Sequence, residues 1–150
     1  MATSFTALEN GKASRSSSAQ DRIALVGRVL LAAIFVMSGL GKFAAPAATL
    51  AYMKAAGLPF APLGLAGAAL VELGGGLALI LGYRTRAAAT LLALFALVTA
   101  AVFHSALGDQ NQLIHFFKNV AMAGGLLQVV AFGGGRLSLD ARRENVRLAT

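Results

Sequence analysis

Few side chains in this 150-residue chain can do ionic or acid–base chemistry, and their placement makes them informative. Glu72 stands inside an apolar run, with Ala68, Ala69, Gly75 and Gly76 one helical turn away on either side. Arg28, Phe35 and Lys42 recur at intervals of seven, with Ala32 and Gly39 between them, which makes one stripe of a helix. His104 closes another apolar run, and Phe116, Phe117, Lys118 and Asn119 open the last one. An ionisable group at mid-bilayer is disfavoured by about 2.5–3.5 kcal/mol, so each one calls for a partner and reads first as a candidate site. The spacing predicts that Glu72, Lys42, His104, Lys118 and Asn119 converge in the outer half of a helical bundle, with Arg28 near Gln128 in the inner half. A structural reading stands beside this one. Lys42 at a span end can snorkel to the headgroups, Glu72 can be an ion-pair partner of Arg28, Lys42 or Lys118, and His104 and His115 can be interfacial residues with no task.

The elements that must position these residues are transmembrane helices. Hydrophobic residues make up 57% of the chain and charged ones 13%, with a mean hydropathy of +0.72. A soluble domain carries about 25% charged residues. Four continuous apolar runs, at about 23–42, 63–81, 87–104 and 116–132, approach the roughly 20 helical residues that a hydrocarbon core of about 30 Å requires. They are not the alternating segments of about ten residues that a membrane β-barrel uses. The first run is too long for a signal-peptide apolar region and reads as a retained span. The expected fold is all-α, an integral membrane four-helix bundle. Residues 1–22 are polar and read as a disordered cytoplasmic tail, and residues 134–150 as a basic cytoplasmic tail.

Orientation follows from Lys and Arg. Lys12, Arg15, Arg22, Arg84, Arg86, Arg136, Arg142, Arg143 and Arg147 fall on one side of the four spans, against Lys54 in the first opposite loop and Lys42 and Lys118 at span ends. This asymmetry predicts that both termini are cytoplasmic, in a multi-pass inner-membrane protein. The net charge of +7 therefore reads as membrane topology. A nucleic-acid partner would need a basic face with aromatic platforms on a solvated domain, and none is expected. The absence of cysteine excludes disulfides, iron–sulfur ligation and thiol catalysis by this chain. A lone pair of histidines without carboxylates is a poor metal or haem signal, so neither is expected. The mid-span glycine runs at 74–76 and 124–125 read as helix-packing devices.

The chain resembles the DoxX family of small four-helix bacterial membrane proteins. The resemblance rests on Arg28, Ser38-Gly39 and Lys42-Phe43 in the first span, and on Glu72-Leu73-Gly74-Gly75, Gly82 and Arg86 in and after the second. It continues with Phe103-His104, Phe116-Phe117-Lys118-Asn119, Ala121 and Gly124-Gly125-Leu126-Leu127, so that it covers roughly residues 23–140. The family takes its name from the membrane subunit of a thiosulfate:quinone oxidoreductase. The resemblance thus implies a quinone-linked membrane subunit of a redox complex, with a protein partner supplying the electron-donor site. In that reading Glu72 carries a proton, Lys42 and Lys118 are its counter-charges or carbonyl donors, and His104 exchanges protons at the outer face. Phe35, Phe116 and Phe117 would line an apolar slot, and Arg28 and Asn119 would contact the bound quinone. Thiol–disulfide chemistry, known in related four-helix families, does not carry over to a chain without cysteine. The alternative is a non-catalytic assembly, anchoring or small-solute permeation protein, whose glycine-rich faces serve bundle packing or a homo-oligomer.

Overall fold

A computed structural model describes residues 2–149, with side chains from Ser18 onward. Six helices follow one another: α1 (Ala2–Ala44), α2 (Pro46–Ala55), α3 (Ala61–Leu81), α4 (Thr85–Phe103), α5 (Gln110–Phe132) and α6 (Leu139–Ala149). No strand occurs among the described residues. Four segments are long and apolar enough to cross a membrane: Ser18–Ala44, Ala61–Leu81, Thr85–Phe103 and Gln110–Phe132.

The sequence and the structure differ at the edges of these elements. The backbone is already helical from Ala2, where composition suggests a disordered tail. No proline precedes Pro46, and a helix nucleated in the span extends at the gain of one hydrogen bond per residue. The side chains of Lys12 and Arg15 lie outside the described residues. The fourth span begins at Gln110 rather than near 116, because the Asp109 carboxylate accepts from the Gln112 N–H at 2.9 Å and caps the helix there. The third begins at Thr85, because a carboxylate of α6 supplies its cap. Two helices, α2 and α6, go unnoticed in the sequence. At ten and eleven residues neither has the length of a span.

α1 packs along α3, α3 against α4, and α4 along α5, with α2 resting on α3. Small residues make these approaches close. A Cβ on Gly76 would lie 2.8 Å from a Val36 methyl, and one on Gly75 would lie 2.9 Å from Leu92. α4 turns Ala89, Ala93, Ala96 and Ala100 inward, all at most 3% exposed, together with Leu92. Outside, Leu63, Leu70, Leu94 and Phe132 are more than half exposed. In water that surface would be untenable; around a bilayer-spanning bundle it is the face that meets acyl chains. The start of the first span and the segment after the fourth meet at one end of the bundle, where Asp21 accepts from the Arg136 N–H at 3.1 Å. The distribution of Lys and Arg makes this end the cytoplasmic one.

Candidate functional site

At the opposite, outer end, α1 presents Ser38 and Lys42 one turn apart on a single face. Gly39 between them lets α3 come in: a Cβ there would lie 2.7 Å from Leu73 Cγ and 3.3 Å from Glu72 Cβ. The Glu72 carboxylate, 5% exposed, is thereby laid directly against both side chains. Ser38 Oγ donates to Oε1 at 3.1 Å, Lys42 Nζ donates to Oε1 at 3.0 Å and to Ser38 Oγ at 3.1 Å, and Nζ lies 2.7 Å from Oε2. Glu72 Oε2 has this charge contact but receives no aligned hydrogen bond. The four small neighbours of Glu72 are all buried, as expected of a face turned into the bundle.

The cluster forms part of the wall of a cavity of about 700 Å³. Its lining is mostly apolar, with Phe35, Met53, Phe95 and Phe103 prominent, and its polar groups gather towards the outer end. There His104 and His115 stack with ring centroids 5.0 Å apart, and His104 Nδ1 lies 2.8 Å from Gln112 Oε1. The Asn119 amide donates to the His115 carbonyl at 3.0 Å, and Thr99 Oγ1 lies 3.4 Å from Asn119 Oδ1. Lys118 also lines this space from an exposed position. An apolar chamber of several hundred Å³ with a few convergent polar groups is the usual form of a small-molecule site. No cluster of metal-ligating side chains occurs among the described residues.

The inner end carries a second polar assembly. Arg28, 1% exposed, donates through Nη1 to the Gly134 carbonyl and through Nη2 to the Leu137 carbonyl at 2.8 Å. Gly134 has no room for a side chain, since a Cβ would meet Arg28 Nη1 at 2.6 Å and Thr85 Oγ1 at 2.7 Å. Beside it, Asp140 accepts from the Arg84 N–H at 2.8 Å, and from the Thr85 N–H and hydroxyl at 2.7 Å each. Partial burial opposes ionisation of Asp140. The hydrogen bonds from Thr85 and Arg84 and the charge of Arg143 outweigh that and hold its carboxyl below the ordinary value. The carboxylate also sits where the α4 dipole favours negative charge.

The sequence model of the DoxX family matches residues 23–105, which is more than half of the chain. The chain is also 40% identical over 116 residues to "Inner membrane protein YqjF" of Escherichia coli (strain K12), covering 77% of this chain and 88% of that protein. The chain belongs to the DoxX family. A second relative, "Inner membrane protein YphA" of the same organism, is 32% identical over 123 residues, 79% of this chain and 88% of its own length. No solved structure matches. Together with the four spans, these relatives make this DoxX-family chain an integral inner-membrane protein.

Within this DoxX-family chain, Glu72, Lys42, His104, Lys118, Asn119 and Phe35 all line the outer cavity, but only Lys42 among them touches the Glu72 carboxylate. Arg28 lies at the other end of the bundle and bonds to backbone carbonyls, while Gln128 is exposed. Phe116 and Phe117 pack edge to face at 5.6 Å outside the cavity lining, and Phe117 is 58% exposed. The sequence already held the reason. His115, Lys118, Asn119 and Met122 fall at i, i+3, i+4 and i+7, one face of α5, and adjacent positions such as 116 and 117 fan away from it. Ser38 escaped notice as a site residue, although it lies one turn before Lys42 on the same stripe.

Proposed function

We propose that this DoxX-family protein binds a membrane-soluble quinone in its outer cavity and acts as the membrane subunit of a redox complex whose electron-donor site lies on a partner protein. The observation that carries this reading is the pairing of an apolar chamber with the Ser38–Lys42–Glu72 cluster in its wall. The donor and acceptor set suits both redox states of a quinone. Lys42 Nζ, with three protons, can turn one to a carbonyl oxygen, Ser38 Oγ can do so by giving up its bond to Glu72 Oε1, and Glu72 Oε2, without an aligned hydrogen bond, can accept from a hydroxyl. A bound quinone would supply two-electron, two-proton carrier chemistry. The chain's own residues would hold the ring oxygens, keep water from the inner part of the chamber, and move protons between Glu72 and the outer histidines.

Titration of the purified chain in lipid nanodiscs with decylubiquinone tests this. Saturable binding that weakens about tenfold, near 1.4 kcal/mol, in both Glu72→Gln and Ser38→Ala is the expected result. No saturable binding, or binding indifferent to both substitutions, refutes it. A second reading, that of a non-catalytic assembly, anchoring or permeation protein, draws on the internal satisfaction of the cluster, since Lys42 already pairs with both Glu72 oxygens. That reading gains if Glu72→Gln lowers only the folded yield.

A further inference from the structure

The walls of the outer cavity do not close all round. Successive spans pack along one another, but α1 and α5, the first and last, meet sparsely. Their close approach lies towards the cytoplasmic end, where Gly125 sits against Leu31 and Arg28 reaches Gly134. One turn further out, the cavity wall is supplied by Ile34 of α1 and Ala121 of α5, both exposed. The outer end, by contrast, is partly covered by α2. Thr49, Tyr52 and Met53 of α2 line the cavity there, Met53 is 5% exposed, and Tyr52 stacks on Phe103 at 5.6 Å. A molecule arriving from water meets α2 over that part of the outer end, whereas one dissolved in the outer leaflet meets the gap.

We infer that the ligand passes sideways between the outer halves of α1 and α5, and that it is an amphiphile with one polar head and one long apolar tail. This inference rests on the reading of the cavity as a ligand site and adds its route and the shape of its occupant. The head belongs among Lys42, Ser38 and Lys118, where donors are available. The tail runs out past Ile34 and Ala121, which offer it no polar atom. The gap is bounded on its inner side by the Leu31–Gly125 contact, where a Cβ on Gly125 would lie 3.1 Å from a Leu31 methyl. A tail left in the bilayer keeps its hydrophobic contacts throughout, so the head alone changes environment on binding.

Because the chain has no cysteine, the gap can be closed selectively. The double variant Ile34→Cys/Ala121→Cys, in nanodiscs, is bridged with a reductively cleavable bifunctional thiol reagent. Three probes are compared: decylubiquinone, the same ring without a tail, and a decyl-tailed nitroxide with no quinone. Bridging is expected to slow association and release of the tailed probes by about tenfold or more, with reductant restoring both rates and single-cysteine controls unaffected. The tail-less ring is expected to bind about tenfold or more weakly than decylubiquinone. Equal rates with the gap open and bridged, equal affinity of the tail-less ring, or no binding of either tailed probe would overturn the inference. Bridging-sensitive access of the nitroxide alone would sustain the side route while removing the quinone reading.

Discussion

Replacing Lys42 by Met and Glu72 by Gln, singly and together, should give strongly unequal losses of stability. Glu72 is 5% exposed and lies within the second span, whereas Lys42 stands near the outer end of α1 on a long flexible stem. Removing the ammonium leaves a carboxylate in an apolar wall with only Ser38 donating to it. Loss of one partner from a buried pair is destabilising by about 3–5 kcal/mol. Removing the carboxylate is milder, because Gln keeps an acceptor for Ser38 and the freed Lys42 can extend to the interface; about 1 kcal/mol is expected. The double variant leaves no charge to strand and should fall close to Glu72→Gln, which gives a coupling of about 3–5 kcal/mol. Reversible unfolding in mixed micelles, titrated with a denaturing detergent and followed by helical circular dichroism, measures all four corners. Equal losses in the two single variants, or a coupling under about 0.5 kcal/mol, would refute the picture of a closed, asymmetric intramembrane pair.

Two further outcomes follow from the packing and the inner polar assembly. Gly76→Leu should destabilise by about 1–3 kcal/mol or more, since a Cβ alone would meet Val36 at 2.8 Å and the Ala32 carbonyl oxygen at 3.5 Å. The same unfolding titration reads this, while Gly74→Leu, with nothing within 4 Å, should be tolerated. Asp140→Asn should weaken the cap on α4 by about 1–2 kcal/mol at neutral pH and flatten the acid limb of stability. A carboxyl held below its ordinary value of 3.8 in the folded protein stabilises above that value, and the contribution fades as pH falls through the lowered folded value. The gap in thermal midpoint between the parent chain and the variant at pH 7 should therefore narrow towards pH 3; a constant gap would count against the assignment.

The four spans were legible in the sequence because mid-bilayer helices must satisfy their own backbone and show it as long apolar runs. That Glu72 needs a basic partner was legible for a related reason, although Arg28, Lys42 and Lys118 all stood open for that place. A carboxyl amid Ala and Gly declares a helix-facing side, and a basic residue on an earlier stripe is its natural partner. What stayed hidden depends on contacts distant in sequence. Arg28 finds its carbonyls 106 and 109 residues later, and Asp140 caps a helix 55 residues earlier. No local pattern marks either one. α2 was missed because ten residues between a Pro and a Gly resemble a loop when hydropathy is scanned at span length. Phe116 and Phe117 were drawn towards the site by their proximity to Lys118. The 3.6-residue period already turns them away from it.

Arg28 has a bearing on how the molecule is made. Its guanidinium belongs to a span made more than a hundred residues before the carbonyls that hold it, those of residues 134 and 137. Until then this cation lacks its native acceptors at residues 134 and 137, and water at the cytoplasmic rim is the alternative. The later-made segment thus latches the earlier-made helix, and chains cut short before residue 134 should be released with that latch undone.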